Sequence, residues 1–556
     1  MNAKNYFRIL LIAMVCTAVM TFAHAADELT ARADEKAGLT FEISYAKEAN
    51  AGPITGRVYA IIARNDSRQP YLQTGYTGQP IWGKNIFALK PGISAVIDET
   101  VFGHPLHSIS EIPPGEYFVQ GFVNLYTEFK RSDGHTLWMH KDRWEGQNWK
   151  RSPGNMFSNA RKVSIDPSKN QVIKLECTNV IPPVVVPPDS KHVKRIKFES
   201  KILSEFWGYP MHIGATMLLP KDYDKHPEVQ YPVNYIQGHF SLGAPNGFRE
   251  PTSGSRGNAF SQYWLSDECP RMIAITFQHP CPYFDDSYAV NSPNIGPFGD
   301  AIMKELIPAI EEQFRCIEKP YARVLSGGST GGWESIALQV FYPDFFGGTW
   351  TGYPDPVDFR RFQVQNIYED PNMYYKIFDW TKIDLPETRT TDGDVTITMA
   401  DRCHYELAVG DHDRSGEQWA VWEALYSPLG KDGYPEPMWD WMTGEIHPEV
   451  AEQWKKYDIS YILRNNWAEL GPKLVGKLHL YTGDMDNAYL NLGVVLLEEF
   501  LESTTDPYYA GSVTYGDRGR HGWSPYTRQE FIQVWADHIA KNAVKAGDNP
   551  KLWQYK

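Results

Sequence analysis

Short apolar runs alternate with longer amphipathic stretches through the second part of the chain. The stretches at residues 298–314 and 492–503 carry apolar residues at helical spacing. The apolar runs are too short for helices and are typical of buried strands: YPVNYIQG (231–238), RMIAITFQ (271–278), ARVLSG (322–327) and KLHLYTG (477–483). Because strands that alternate with helices build parallel sheets, the pattern predicts an α/β domain over residues 191–545 with a mainly parallel sheet.

The first part of the chain has a different pattern, made of β-branched and aromatic runs with partial alternation. Such runs, separated by Gly, Pro, Asn and Asp, are LTFEISYA (39–46), GRVYAIIAR (56–64) and GEYFVQGFVNLY (115–126). They predict an all-β, sandwich-like domain over residues 26–180. This domain either packs against its neighbour or binds glycan, and we favour packing.

A proline-rich segment, IPPVVVPPDS at residues 181–190, lies between these two patterns. Proline fixes φ and removes a hydrogen-bond donor, so the segment is predicted to be an extended, semi-rigid linker. The chain of 556 residues is also longer than one hydrophobic core organises. Both observations indicate at least two domains.

The N-terminus has the features of an export signal, predicted over residues 1–25. Lys4 and Arg8 precede an apolar run at residues 9–20, and Ala23-His24-Ala25 forms a small-x-small cleavage site. No second long apolar stretch follows, so we expect no integral membrane segment after signal removal. The mature protein is therefore expected in the periplasm or the medium.

The net charge of the chain bears on the class of partner it can bind. A net charge of −14 argues against nucleic acid, which needs a basic surface.

The cysteines and acidic loops bear on disulfides and metal sites. Outside the cytoplasm the mature cysteines can form disulfides, and the pair Cys269 and Cys281 closes the shortest loop. The chain has no CxxC and no zinc-like spacing, and its GDMDN loop (483–487) lacks the Gly and distal Glu of a calcium loop. The sequence predicts no metal and no cofactor.

The segment SGGSTGGWES (326–335) carries the clearest chemical motif. It contains G-x-S-x-G with Ser329 at its centre, after an apolar strand and before a helical pattern that Pro343 ends. A sharp strand-to-helix turn holds such a serine in a strained backbone, and side chains at the flanking glycines would collide with neighbouring chain. Ser329 is therefore a candidate nucleophile.

A serine hydroxyl needs a base and an acid that orients the base. The late loop YGDRGRHGWSP (515–525) offers His521, which we prefer to His538 because His538 lies in a helical stretch. Asp484 and Asp486 follow the strand at residues 477–483, and either can form an Asx turn instead.

These motifs resemble the esterase D and enterochelin-esterase-like branch of the α/β-hydrolases. The resemblance covers roughly residues 231–539 and is most specific at the elbow with its P-D-x-F segment (343–346). It implies an α/β-hydrolase fold and a triad of Ser329, Asp486 and His521, with Asp486 preferred to Asp484 because it completes G-x-x-D from Gly483. It also implies an oxyanion hole between the elbow and the loop after the first core strand.

Two departures from the family pattern bear on the site. The family's His-Gly dipeptide is replaced by Gly238-His239-Phe240, so the oxyanion donors are predicted to be the amide of Thr330 and that of His239 or Phe240. A long insert, about residues 352–470, is predicted to cap the strand ends. It is rich in tryptophan, and we favour a core role for each tryptophan over a role in binding sugar or phenolic rings.

The resulting prediction is an exported serine carboxylesterase that acts through an acyl-enzyme, with acylated carbohydrate or siderophore-type esters as substrates. A peptidase or an acyltransferase of the same fold would use the same residues. A glycan-binding protein with an inactive hydrolase domain is the alternative from another class. The sequence leaves the ester and the oligomeric state open.

Overall fold

The computed structural model describes residues 38–555, so the predicted signal peptide, residues 1–25, lies outside the described residues. Within this range two large sheets follow one another along the chain. The described part of the chain contains no helix that is both long and apolar enough to cross a bilayer. The predicted order of a β-rich region followed by an α/β unit is confirmed.

The first sheet has ten strands within residues 39–180. They are β1 Leu39–Tyr45, β2 Ile54–Ala63, β3 Ile81–Leu89, β4 Ala95–Ile97, β5 Gly103–His104, β6 Gly115–Lys130, β7 Thr136–His140, β8 Met156–Ser158, β9 Arg161–Ile165 and β10 Gln171–Val180. Their order is β4-β1-β10-β8-β6-β2-β3-β5, and β7 and β9 also pair with the long central strand β6. The strands are therefore hydrogen-bonded along one continuous path.

This first sheet curls around its own apolar core. Phe41 and Ile43 of β1 share that core with Val58 of β2 and Val119 of β6, although β1 and β2 are not neighbours in the sheet. Residues of β1 alternate between buried and half-buried positions, as expected when one face of a strand covers a core. The two-layered packing of the predicted sandwich arises here from one bent sheet.

The β-rich region packs tightly against later parts of the chain. Tyr59 and Phe122 lie in one apolar cluster with Tyr405 and Val409 of the insert. The Tyr59 hydroxyl donates a hydrogen bond to the carbonyl of Val409 at 2.6 Å. The buried Arg57 donates to the carbonyl of Ala408 at 3.1 Å. These contacts give the region a packing role against the insert.

The second sheet has eight strands in the order β11-β12-β14-β13-β17-β18-β23-β24. The strands that follow β10 are β11 Val193–Ser200, β12 Met211–Leu218, β13 Val233–Gln237, β14 Ile273–Gln278, β15 Asn291–Ser292, β16 Gly296–Pro297, β17 Arg323–Gly328, β18 Gly348–Gly352, β19 Tyr375–Phe378, β20 Thr381–Asp384, β21 Pro386–Arg389, β22 Val395–Thr398, β23 Leu478–Gly483 and β24 Ser512–Gly516. In the order from β14 to β24 all neighbours in this sheet are parallel, and its antiparallel pairs are β11 with β12 and β12 with β14. The predicted mainly parallel sheet is confirmed.

Helices occupy the connections between these strands. They are α1 Lys201–Trp207, α2 Ala259–Trp264, α3 Phe298–Ala301, α4 Ile307–Gln313, α5 Thr330–Phe341, α6 Met399–Val409, α7 Gln418–Tyr426, α8 Pro448–Gln453, α9 Ile459–Leu474, α10 Asn491–Ser503 and α11 Arg528–Lys545. A π-helical turn, Ile302–Leu306, joins α3 to α4. The helical stretches predicted at 298–314 and 492–503 are both present.

The carboxyl ends of the parallel strands meet at one edge of the second sheet. In the register of the strands, Gln237 is opposite Gly327, Gly328 is opposite Gly352, and Gly483 is opposite Gly516. Loops that leave these strands therefore begin side by side. In sheets of this kind that edge is where ligands bind.

The insert between β18 and β23 contributes α6 to α9 and two small hairpins, β19 with β20 and β21 with β22. Four of its tryptophans are fully buried: Trp419, Trp422, Trp439 and Trp454. Trp380 by contrast is fully exposed in the β19–β20 hairpin. The core role favoured for the tryptophans is therefore confirmed for these four and wrong for Trp380.

The five cysteines of the described residues are all buried and all free: Cys177, Cys269, Cys281, Cys316 and Cys403. The disulfide favoured between Cys269 and Cys281 is wrong. The two residues lie on either side of β14, whose six residues extend over about 20 Å at the usual rise of a strand. A disulfide requires Cα atoms within about 7 Å of each other.

Candidate active site

The nucleophile elbow forms the turn between β17 and α5. Ser329 has φ 59° and ψ −125°, which is a strained conformation for a residue with a side chain. A Cβ atom on Gly327 would lie 2.1 Å from the carbonyl oxygen of Gly331, and one on Gly331 would lie 2.2 Å from that of Gln237. The two glycines of the motif are therefore required by close backbone contacts, as predicted.

The structure brings Ser329, His521 and Asp486 together from three separate loops. The Oγ of Ser329 lies 3.0 Å from Nε2 of His521, and Nδ1 of the same ring lies 2.7 Å from Oδ2 of Asp486. Asp486 is fully buried, whereas about a third of the His521 side chain is exposed. The three residues form one hydrogen-bonded chain that ends at a serine hydroxyl.

The loop after β23 holds the aspartate and the histidine in place. The second carboxylate oxygen of Asp486 accepts a hydrogen bond from the amide of Ala488 at 2.9 Å, and the side chain of Asn487 accepts one from the amide of His521 at 3.1 Å. Asp484 is exposed, and its backbone carbonyl rather than its carboxylate accepts a bond from Asn491. The geometry thus favours Asp486 over Asp484.

The electrostatic setting of His521 suits a general base. Burial tends to lower the pKa of His521, but the hydrogen bond and the charge of Asp486 outweigh it, so the pKa is raised above 6.5. His538 lies on α11, where its Nε2 is 2.9 Å from the carbonyl of Gly347. That nitrogen is therefore engaged by backbone, as expected for a structural histidine.

The loop after β13 lies beside the elbow. A Cβ atom on Gly331 would come within 2.7 Å of the amide nitrogen of Gly238, so residues 238–240 begin next to the first turn of α5. Thr330 is the first residue of α5, and an amide at that position has no acceptor within its helix. Phe240 packs against Trp144 of the β-rich region with their rings 5.2 Å apart. The loop that carries His239 and Phe240 thus begins beside the first turn of α5.

A second buried carboxylate, Asp355, lies at the elbow and was not predicted. Its Oδ1 lies 3.4 Å from the Oγ of Ser329. Its Oδ2 accepts hydrogen bonds from the Tyr288 hydroxyl at 2.6 Å and the Thr330 hydroxyl at 3.0 Å. Burial raises the pKa of Asp355. Its position shortly after β18, at the same sheet edge as the other loops, is the signal by which the sequence could have revealed it.

The insert reaches this carboxylate through α7. Gln418 donates a hydrogen bond to the Tyr288 hydroxyl, and the indole of Trp422 donates a second one to it at 2.7 Å. Tyr288 in turn donates to Asp355. A continuous set of hydrogen bonds therefore joins the insert to the elbow.

Among the described residues, one group has the composition of a metal site. The ligand atoms of His239, Asp285 and Asp286 all lie within 4.8 Å of one another. Burial lowers the pKa of His239, but hydrogen bonding to the two aspartates together with their charges outweighs it and raises the pKa to about 11. The GDMDN loop instead supplies Asp486 to His521.

Comparison with known proteins gives one family match. Residues 209–468, a little under half of the chain, match the family model described as putative esterase. No curated protein is similar enough in sequence to count as a relative.

Solved structures of similar fold include three hydrolases. A ferulic acid esterase is 14% identical with a TM-score of 0.33, and the match covers 65% of this chain and 98% of that one. The fluorophosphonate-binding serine hydrolase FphF of Staphylococcus aureus is 15% identical with a TM-score of 0.34, covering 62% and 98%. An S-formylglutathione hydrolase from Agrobacterium tumefaciens is 12% identical with a TM-score of 0.33, covering 63% and 94%.

Proposed function

We propose, for a chain whose residues 209–468 belong to the putative-esterase family of α/β-hydrolases, that it is an exported serine carboxylesterase. The observation that carries the proposal is the hydrogen-bonded chain of Ser329, His521 and Asp486, with contacts of 3.0 and 2.7 Å. In this assignment Ser329 is the nucleophile, His521 the general base and Asp486 the group that orients the imidazole. Export rests on the features of residues 1–25.

The acylation step begins when the Oγ of Ser329 attacks the carbonyl carbon of an ester. Its proton passes to Nε2 of His521, and the buried Asp486 stabilises the imidazolium through Nδ1. The carbonyl oxygen becomes an oxyanion that accepts hydrogen bonds from the amide of Thr330 and that of His239 or Phe240. Donors aimed at this charge typically contribute about 3 kcal/mol each to the stabilisation of the transition state.

The tetrahedral intermediate then collapses. The bond between the carbonyl carbon and the alcohol oxygen breaks, and the alcohol leaves with the proton from Nε2 of His521. In deacylation a water molecule gives a proton to the same nitrogen and attacks the acyl-serine. The carboxylic acid departs, and the proton returns to Ser329.

As substrates we propose acyl esters of carbohydrates or siderophore-type esters, a class that follows from the family resemblance. The burial of Trp419, Trp422, Trp439 and Trp454 removes those rings as platforms for a sugar. We therefore propose that residues at the elbow and in the loops around it determine which acyl group is accepted. A panel of acetyl, feruloyl and longer acyl esters addresses this part of the proposal.

The first experiment is labelling with a fluorophosphonate probe, read by intact mass. Wild-type protein is expected to gain a single adduct, and Ser329→Ala is expected to gain none while keeping its circular dichroism. Ser524→Ala is the matched control, because Ser524 is exposed and near His521, and its hydroxyl bonds to the backbone carbonyl and amide of Tyr526. Folded wild-type protein that takes no label would overturn the proposal.

A further inference from the structure

A group of ionisable side chains lies beside the predicted oxyanion site and takes no part in the proposed triad. His239 belongs to the loop after β13, and Asp285 and Asp286 belong to the loop after β14. Nδ1 of His239 lies 2.9 Å from Oδ1 of Asp285 and 3.4 Å from Oδ2 of Asp286. Glu334 of α5 is fully buried nearby, and burial together with the charge of Asp286 raises its pKa well above the usual range.

These side chains contain more buried acceptors than donors. A protonated Nδ1 carries one hydrogen, which the Asp285 contact already uses. Oδ2 of Asp286 is left without a donor among the described residues, on a side chain that is only 1% exposed. Both carboxyl oxygens of the fully buried Glu334 also lack a donor there.

The surrounding residues do not supply the missing hydrogen-bond donors to Asp286 and Glu334. The amide of Ser287 donates to Nδ1 of His279, so the hydrogen of a neutral His279 is on Nε2. That nitrogen is 3.9 Å from Glu334, too far for a hydrogen bond. A buried carboxylate oxygen without a hydrogen-bond donor is costly, and an unpartnered buried acceptor of this kind indicates a bound ion or a proton.

We propose that His239, Asp285 and Asp286 bind one divalent cation of the Zn²⁺ or Mn²⁺ type. Their ligand atoms lie within 4.8 Å of one another, so release of the Nδ1 proton and small side-chain movements bring all three onto a single ion. One imidazole with carboxylates is a donor set for these metals, whereas Ca²⁺ and Mg²⁺ prefer oxygen alone. The His239 side chain is half exposed and gives the ion a path from solvent.

The proposed ion lies where two loops and a helix of the α/β part meet. It joins the loop that carries His239 and Phe240 to the loop after β14, and Glu334 next to Asp286 belongs to the helix that begins at Thr330. The cation therefore links the loop that carries one of the predicted oxyanion donors to the loop after β14.

The test measures metal directly. Mature protein is stripped with a chelator and titrated separately with Zn²⁺, Mn²⁺, Ca²⁺ and Mg²⁺ by calorimetry, and bound metal is counted by inductively coupled plasma mass spectrometry. We expect one equivalent of Zn²⁺ or Mn²⁺ per chain and a rise in Tm on binding. Asp286→Asn is expected to weaken binding by at least about tenfold and to abolish the rise in Tm.

Asp432→Asn is the matched control, because Asp432 is an exposed carboxylate 3.8 Å from Nε2 of His412 and tests adventitious surface binding. It is expected to bind metal as wild type does. If Asp286→Asn fails to fold, the half-buried Asp285 provides a milder variant, Asp285→Asn, and anomalous diffraction from wild-type crystals grown with Zn²⁺ locates the ion without any variant.

Wild-type protein that binds no stoichiometric Zn²⁺ or Mn²⁺ overturns the proposal. Binding that survives both aspartate substitutions, or a preference for Ca²⁺, overturns it as well. Metal content and fluorophosphonate labelling are separate measurements. The cation site and the esterase function can therefore fail independently.

Discussion

The carboxylate of Asp355 and the imidazole of His521 both approach the Oγ of the candidate nucleophile Ser329. Oδ1 of Asp355 lies 3.4 Å from the Oγ of Ser329, while Nε2 of His521 lies 3.0 Å from the same oxygen. The shorter contact leads to the base. Asp355 is better suited to hold the Tyr288 and Thr330 hydroxyls than to take the serine proton, because its Oδ2 bonds to both at 2.6 and 3.0 Å.

Replacing Asp355 with Ala should destabilise the protein, because two buried hydroxyls lose their acceptor. We expect the free energy of unfolding to fall by about 2 to 6 kcal/mol, from about 1 to 3 kcal/mol for each of the two unsatisfied groups. Urea unfolding measures this change, with Asp384→Ala as the control at an exposed position of β20. Asp355→Asn keeps an acceptor and should lose less stability. Equal stability of Asp355→Ala and the control would contradict the buried network.

Asp486→Asn should reduce kcat/KM far more than Asp484→Asn. The carboxylate of Asp486 is buried 2.7 Å from Nδ1 of His521, and an amide there would favour the wrong imidazole tautomer. A loss of about 10⁴-fold is expected for Asp486→Asn, from the effect of such a substitution in serine proteases. Asp484→Asn should stay near wild type because its carboxylate is exposed. Initial rates on an activated ester decide this, and similar losses in both variants would reject the assignment of Asp486.

The activity of the proposed esterase should fall at low pH. Below the pKa of His521, Nε2 carries a proton and cannot accept the one from Ser329, so kcat/KM declines as pH decreases through that pKa. Burial lowers the pKa of His521, but Asp486 raises it by more, and the nearby charge of Asp355 adds to the rise. The acid limb of wild type should therefore have its midpoint above pH 6.5.

The same reasoning predicts how Asp486→Asn shifts the acid limb of the pH profile of kcat/KM. Asp486→Asn removes the largest contribution that raises the pKa of His521, so the midpoint of the residual activity should move to lower pH. Profiles of kcat/KM against pH for wild type, Asp486→Asn and Asp484→Asn measure the effect. The limb of Asp484→Asn should stay in place. A limb that moves upward in Asp486→Asn would show that another group controls it.

Gly331→Ala should damage the elbow. A Cβ atom at Gly331 would lie 2.2 Å from the carbonyl oxygen of Gln237 and 2.7 Å from the amide of Gly238, and backbone cannot move away cheaply. We expect a loss of about 3 kcal/mol or more in the free energy of unfolding. Gly75→Ala is the control, because no atom lies within 4 Å of a Cβ there. Thermal unfolding compares the two variants, and matching Tm values would contradict the close contact.

The fold of the α/β part could be predicted because its signals are local. The runs at 231–238, 271–278, 322–327 and 477–483 coincide, to within one residue at β17, with the positions of β13, β14, β17 and β23. Short apolar segments between helices are typical of strands in a buried parallel sheet. The strained turn at Ser329 could also be predicted from the sequence, because the backbone of the turn itself requires glycines two positions before and after the serine. Asp486 and His521 could be proposed as site residues for a similar reason. Asp486 follows a predicted strand, and His521 lies in a glycine-rich segment near the end of the chain.

Other features depended on which segments become neighbours. Asp355 reaches Ser329 because β17 and β18 lie side by side, and Cys269 stays apart from Cys281 because the extended β14 separates them. The group of His239, Asp285, Asp286 and Glu334 comes from three segments that the sheet order brings together.

The sequence by itself determined the kinds of element, the nucleophile elbow and the candidate residues around it. Only the tertiary structure decided the single bent sheet of the β-rich region, the network of Asp355 and Tyr288, and the acceptor-rich cluster beside the predicted oxyanion loop. The physical reason is the distance along the chain over which each interaction acts. Steric limits and hydrophobic periodicity act over a few residues, so short stretches of sequence reveal them. Contacts between distant segments follow from sheet order and packing.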